Sequence, residues 1–131
     1  MRNVWKKLFL TIWICGILFP AAWASQKWPA TAALFQRFFS TETPHILAHI
    51  FLFTVLGCAA YLVVPGARQH WWIALLMILI IALMQESVQV FAIGGSISNE
   101  ELFDLRVDIT SGLAGIFLGA YIARARLQPV Q

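Results

Sequence analysis

The chain has 131 residues, of which 60% are hydrophobic and only 11% charged, with a formal net charge of +3. A soluble domain of this size leaves roughly a third of its unfolded surface exposed, more than so few polar residues can cover, so lipid is the expected solvent. The basic residues are scattered at the ends of apolar runs, which is a topology signal and excludes the clustered patch of a nucleic-acid binder.

Four apolar stretches, at 4–24, 45–64, 71–92 and 102–123, meet the ~20-residue length of a membrane-spanning helix. The connections are too short for another folded domain. The expected fold is an all-α membrane protein with four transmembrane helices in a small bundle and both termini cytoplasmic. Its parts are a first transmembrane helix at 1–24, an outer interfacial segment at 25–43, a three-helix core at 43–123 and a cytoplasmic tail at 124–131.

The first stretch also has the outline of a signal peptide: a basic start at Arg2, Lys6 and Lys7, an apolar run from Leu8 to Phe19, and Ala22-Trp23-Ala24 as a small-x-small cleavage site. Trp23 and its bulky neighbours favour a retained anchor. Cleavage after Ala24 would leave Ser25 outside, so the later helices keep one orientation in either case. Cys15 and Cys58, central in the first two stretches, are expected as buried packing residues. Between these stretches Pro29 suits a first helical turn. Leu34, Phe35, Phe38 and Phe39 then form one apolar face, with Gln36 and Arg37 toward the other. This pattern describes an interfacial helix, or equally a loop packed on the bundle.

The second stretch begins near Pro44 with His45 and His49, one turn apart and so on one face. The third contains no charge from Trp71 until Glu86, which shares a face with Gln89. An isolated carboxylate there costs roughly 2.5–3.5 kcal/mol on insertion scales, and such residues face protein or water and carry function by default. The fourth follows Gly94-Gly95. Ser98 and Glu101 have the spacing of a capping box. Asp104 and Asp108 continue into Ser111, Gly112, Gly115 and Gly119, a small-residue stripe that permits close helix approach.

Six of the nine basic residues (Arg2, Lys6, Lys7, Arg68, Arg124 and Arg126) fall on one side of this arrangement, the expected cytoplasmic side. Lys27, Arg37 and Arg106 fall on the outer half with all six acidic residues. At ~1.5 Å per residue, His49 lies about 6 Å, Glu86 about 7–9 Å and Asp108 about 9 Å inside the outer ends of their helices. Three alternating helices therefore bring polar side chains to one depth, which predicts an acidic, histidine-containing pocket open to the outer face.

The ordered set of motifs resembles the VanZ-like membrane proteins, a family associated with teicoplanin resistance. The residues that carry the resemblance are His49-Ile50-Phe51-Leu52-Phe53 with Leu56-Gly57, then Glu86-Ser87-Val88-Gln89, then Asp104-Leu105-Arg106-Val107-Asp108 followed by Gly115 and Gly119. It covers about residues 43–123, with Asp108 where Asn is commoner in the family. The resemblance implies an integral protein of the bacterial cytoplasmic membrane and cell envelope, linked to glycopeptide resistance.

The expected function is non-enzymatic binding, at the outer pocket, of a lipid or other amphiphile, a glycopeptide or another membrane protein, in contact with the bilayer. The expected ligand-binding residues are His45, His49, Glu86, Gln89, Asp104, Arg106 and Asp108, with no cofactor, no metal and no nucleic acid. An enzyme acting on a lipid-linked substrate is the alternative, with His49, Glu86 and Asp108 as catalytic candidates: His49 as general base and Glu86 as general acid. Zinc held by His45 and His49 with Glu86 or Asp108 is a variant of it, although the metalloprotease H-E-x-x-H pattern is absent. The remaining alternative makes the cluster internal glue. Interhelical polar contacts in membranes average only about 0.6 kcal/mol, small against the insertion cost of Glu86.

Overall fold

The computed structural model describes residues 2–19, 27, 32–33, 42–93 and 98–126. Its elements are four helices: α1 (Arg2–Ile17), α2 (Glu42–Val63), α3 (Trp72–Ile93) and α4 (Asn99–Ala125). No strand occurs among the described residues. Three segments, Thr43–Val63, Trp72–Ala92 and Asn99–Ala125, are long and apolar enough to cross a membrane, which suggests a membrane protein. The described 16 residues of α1 rise about 24 Å, short of the ~30 Å hydrocarbon core. The Ala22-Trp23-Ala24 site, the segment around Pro29 and Leu34 to Phe39, the Gly94-Gly95 loop and the last residues of the tail lie outside the described residues.

Local sequence accounts for the helix ends. Val64 precedes Pro65, whose ring disfavours helical geometry at the residue before it, so α2 stops at Val63. Gly66 then takes φ +79, a conformation that costs glycine little, and its carbonyl accepts hydrogen bonds from the amides of Gln69 (3.0 Å) and His70 (2.8 Å). This compact turn reverses the chain into α3. At the start of α4 the capping box forms as the spacing predicts: Ser98 Oγ accepts from the Glu100 amide at 3.1 Å, and Glu101 Oε2 accepts from the Ser98 amide at 2.7 Å. The Ser98 hydroxyl also contacts the Glu101 carboxylate. Ser98→Ala removes a cap worth about 1 kcal/mol. The expected result is faster amide exchange confined to the first turn of α4, with the middle of the helix unchanged.

Packing places α2 at the centre. Phe53, Leu56 and Ile78 are fully buried, with Ala60, Ala74, Ala82 and Ile116 closing the gaps between α2, α3 and α4. Contacts between α2 and α4 repeat in the same sense along both chains (Thr54 with Ser111, Gly57 with Gly112, Cys58 with Gly115), so these two helices are parallel neighbours. α3 runs opposite to both, with Ile78 against Gly112. Helix α1 lies on the outside of α2: the Trp13 indole donates to the Leu52 carbonyl at 3.0 Å and its ring meets Phe51 edge-on. Phe51, Leu76, Leu83, Phe117 and Leu118 point outward, as expected where the surrounding medium is apolar.

The α2–α4 interface depends on missing side chains. A Cβ on Gly57 would fall onto the Gly112 carbonyl, and one on Gly115 onto the Thr54 carbonyl oxygen and Cys58 amide. Gly119 sits against Cys58 and Tyr61. The small-residue stripe thus allows backbone-to-backbone contact, the use such stripes have between membrane helices. Cys15 and Cys58 are both free thiols; Cys15 is exposed and Cys58 half-buried, so the expectation of two buried packing residues is corrected. Cys15 lies on the face of α1 turned away from α2, where an apolar thiol needs no protein partner when lipid surrounds it.

Candidate functional site

The close approach of α2 and α4 sets two histidines of one helix against two aspartates of the other. His45 Nε2 lies 3.0 Å from Asp104 Oδ2, and His49 Nδ1 lies 2.8 Å from Asp108 Oδ1. Both pairs join residues 59 positions apart, because each helix repeats its polar residue at i, i+4 and the helices run parallel. The result is a two-rung ladder. Its rungs follow one another with imidazole centroids 4.6 Å apart and ring planes tilted by 50°, and the His49 ring lies nearly parallel to Phe53.

The rungs differ in burial. The His45–Asp104 rung is partly open, whereas His49 is 4% and Asp108 0% exposed. Above the open rung lies a recess of about 410 Å³ lined by His45, Ile46, Asn99, Glu100, Phe103 and Asp104. Beneath it, α3 brings Glu86 to the closed rung at 8% exposure. One ligand atom from each of His49, Glu86 and Asp108 lies within 4.8 Å of the other two, and the same holds for His45, His49 and Asp104.

Hydrogen bonding at the closed rung is incomplete. Glu86 Oε1 and Asp108 Oδ2 are buried without a partner, and so is Gln85 Oε1. A buried polar atom left unpaired costs about 1–3 kcal/mol, so orphaned atoms from two helices at one point call for a partner, whether a water, an ion or a ligand. Chemically, the arrangement offers carboxylate acceptors and imidazole nitrogens in a pocket shielded from one side.

Of the residues expected at this site, the structure brings His45, His49, Glu86, Asp104 and Asp108 together. Gln89 is half-buried and Arg106 exposed, and neither side chain joins the hydrogen-bonded rungs. Gln85 was not among the expected residues, although it precedes Glu86 in the same uncharged run and lies one turn from Gln89. No family model matches the chain, and no curated protein or solved structure matches it.

Proposed function

We propose that the chain is a VanZ-like integral protein of the bacterial cytoplasmic membrane that binds a lipid or amphiphilic ligand at its acidic end. In this reading the chain crosses the membrane four times with both termini cytoplasmic. The end carrying Lys6, Lys7, Arg68, Arg124 and Arg126 faces the cytoplasm, and the end carrying Glu100, Glu101 and Asp104 faces outward.

The observation that carries the proposal is the buried His49–Glu86–Asp108 cluster with two orphaned carboxylate oxygens. Packing alone gives no reason to pay for it. A Glu two turns inside the end of an apolar run still costs more than an average interhelical polar contact returns. The recess bounded by Phe103 and Ile46 on its apolar side and by Glu100 and Asp104 on its polar side suits a molecule with both kinds of surface, such as an acylated glycopeptide.

The test is expression in a susceptible bacterial host lacking the gene, challenged with teicoplanin and a panel of other wall- and membrane-active antibiotics. A several-fold change in the inhibitory concentration of an amphiphilic agent is expected, lost in Asp108→Asn when that variant reaches the membrane in normal amount. Unchanged susceptibility to every agent on expression would remove the resistance reading.

A further inference from the structure

We propose that His49, Glu86 and Asp108 form a binding site for one divalent transition-metal ion, with zinc the ion whose ligand chemistry they meet. The three side chains come from three helices, and each is more than nine-tenths buried. Their potential ligand atoms lie within 4.8 Å of one another, a spread that a small ion can draw together with short side-chain movements. Glu86 Oε1 and Asp108 Oδ2 supply the independent pointer, since both are buried at the cluster and bonded to nothing.

With His49 neutral, the form in which an imidazole ligates a metal, charge favours a dication. Two carboxylates share this buried point, and isolated charges of one sign are costly in a medium of low dielectric. One doubly positive ion balances both. Donor type then selects among ions. One imidazole nitrogen with two carboxylate oxygens is a set zinc accepts, and three protein ligands with an open fourth position is the form of zinc sites that receive an exogenous molecule. Calcium takes six to eight oxygen ligands, and magnesium near-ideal octahedral oxygen geometry with retained waters. Neither description matches three ligands with nitrogen among them.

The outer rung completes the arrangement. His45 and Asp104 lie one turn above, hydrogen-bonded to each other and open to the recess. Together with His49 they form a second group of potential ligand atoms, which provides a stepwise entry path from the recess to the closed rung. The missing H-E-x-x-H pattern does not oppose this site, because that pattern describes two ligands on one helix. Here each ligand comes from a different helix.

The experiment uses the full chain purified in detergent, stripped with a chelator, equilibrated with zinc chloride and desalted before elemental analysis. About one zinc per chain is expected, and cobalt(II) in its place should give the visible absorption bands of a low-coordinate site. Glu86→Gln and Asp108→Asn should each lose the metal, whereas His70→Ala, at an exposed histidine remote from the cluster, should retain it. Zinc well below one per chain in the wild type overturns the proposal. So does equal zinc in the wild type and both variants, which would mean an adventitious ion only. Should the variants fail to fold, X-ray absorption on the wild type decides: a nitrogen and oxygen shell near ~2.0 Å supports the site, and a sulfur shell near ~2.3 Å overturns it. Metal content is read without any antibiotic, so its failure leaves the amphiphile reading standing, and the converse also holds.

Discussion

Gly115→Ala is expected to destabilise the bundle by about 1–3 kcal/mol, the range for forcing a methyl into a packed interior. The added Cβ would meet the Thr54 carbonyl and the Cys58 amide. Both are backbone atoms in the middle of a helix, so neither can rotate away, and α2 and α4 must separate. Separation stretches the His45–Asp104 and His49–Asp108 bonds, which span the same interface at 3.0 and 2.8 Å. The loss should therefore reach the upper end of that range and extend to the polar cluster. Gly16→Ala is the internal control. No atom lies within 4 Å of its added Cβ, and Gly16 is one residue from the end of α1, so this change should be neutral or gain at most ~0.5 kcal/mol from helix propensity. Denaturing-detergent titration of both variants checks the contrast. Equal behaviour of the two would mean that the α2–α4 interface is looser than described.

Removing Asp108 is expected to be the most damaging polar substitution. Asp108→Leu leaves the buried His49 imidazole without its 2.8 Å partner. The cost should fall between the ~1–3 kcal/mol of an orphaned hydrogen-bonding group and the ~3–5 kcal/mol of a broken buried ion pair. His49→Leu in the same chain removes the stranded partner. Replacing a buried pair by apolar residues of similar volume is often neutral or stabilising, so the double variant should recover most of the stability. Its behaviour separates glue from function. If the wild type alters antibiotic susceptibility as proposed, a stable double variant that does not assigns the rung to ligand binding. One that remains stable and fully active would leave the rung a packing device.

Helix positions were largely legible in the hydropathy. The stretches 45–64 and 71–92 lie within a few residues of α2 and α3, because apolar residues fill those helices almost end to end. The stretch 102–123 starts three residues late. Asn99, Glu100 and Glu101 are polar and lower the local hydropathy, yet the capping box at Ser98 already marks the true start. Depth counting brought His49, Glu86 and Asp108 to one level. It could not supply the rung pairing, since which helices touch depends on packing across the bundle. The equal i, i+4 spacing of His45/His49 and Asp104/Asp108 held that information once α2 and α4 were known to be parallel neighbours. Gln85 was hidden for a different reason. On a helix apolar all round, helical period alone does not show that Gln85 turns inward beside Glu86.

The parallel pairing of α2 and α4 also has a consequence for synthesis. In a chain that crosses the membrane as proposed, parallel neighbours are separated by an intervening crossing, here α3, so α2 emerges from the ribosome before α4, its most extensive partner. During that interval Gly57, His45 and His49 lack the α4 backbone and aspartates they meet in the finished bundle. The tightest interface of the finished bundle is thus the last to be assembled, and a nascent chain stopped after α3 presents a half-built polar ladder to the insertion machinery. Truncations within α4 should therefore leave α2 and α3 without their shared partner and accumulate less than the full chain, which immunoblotting of membranes checks.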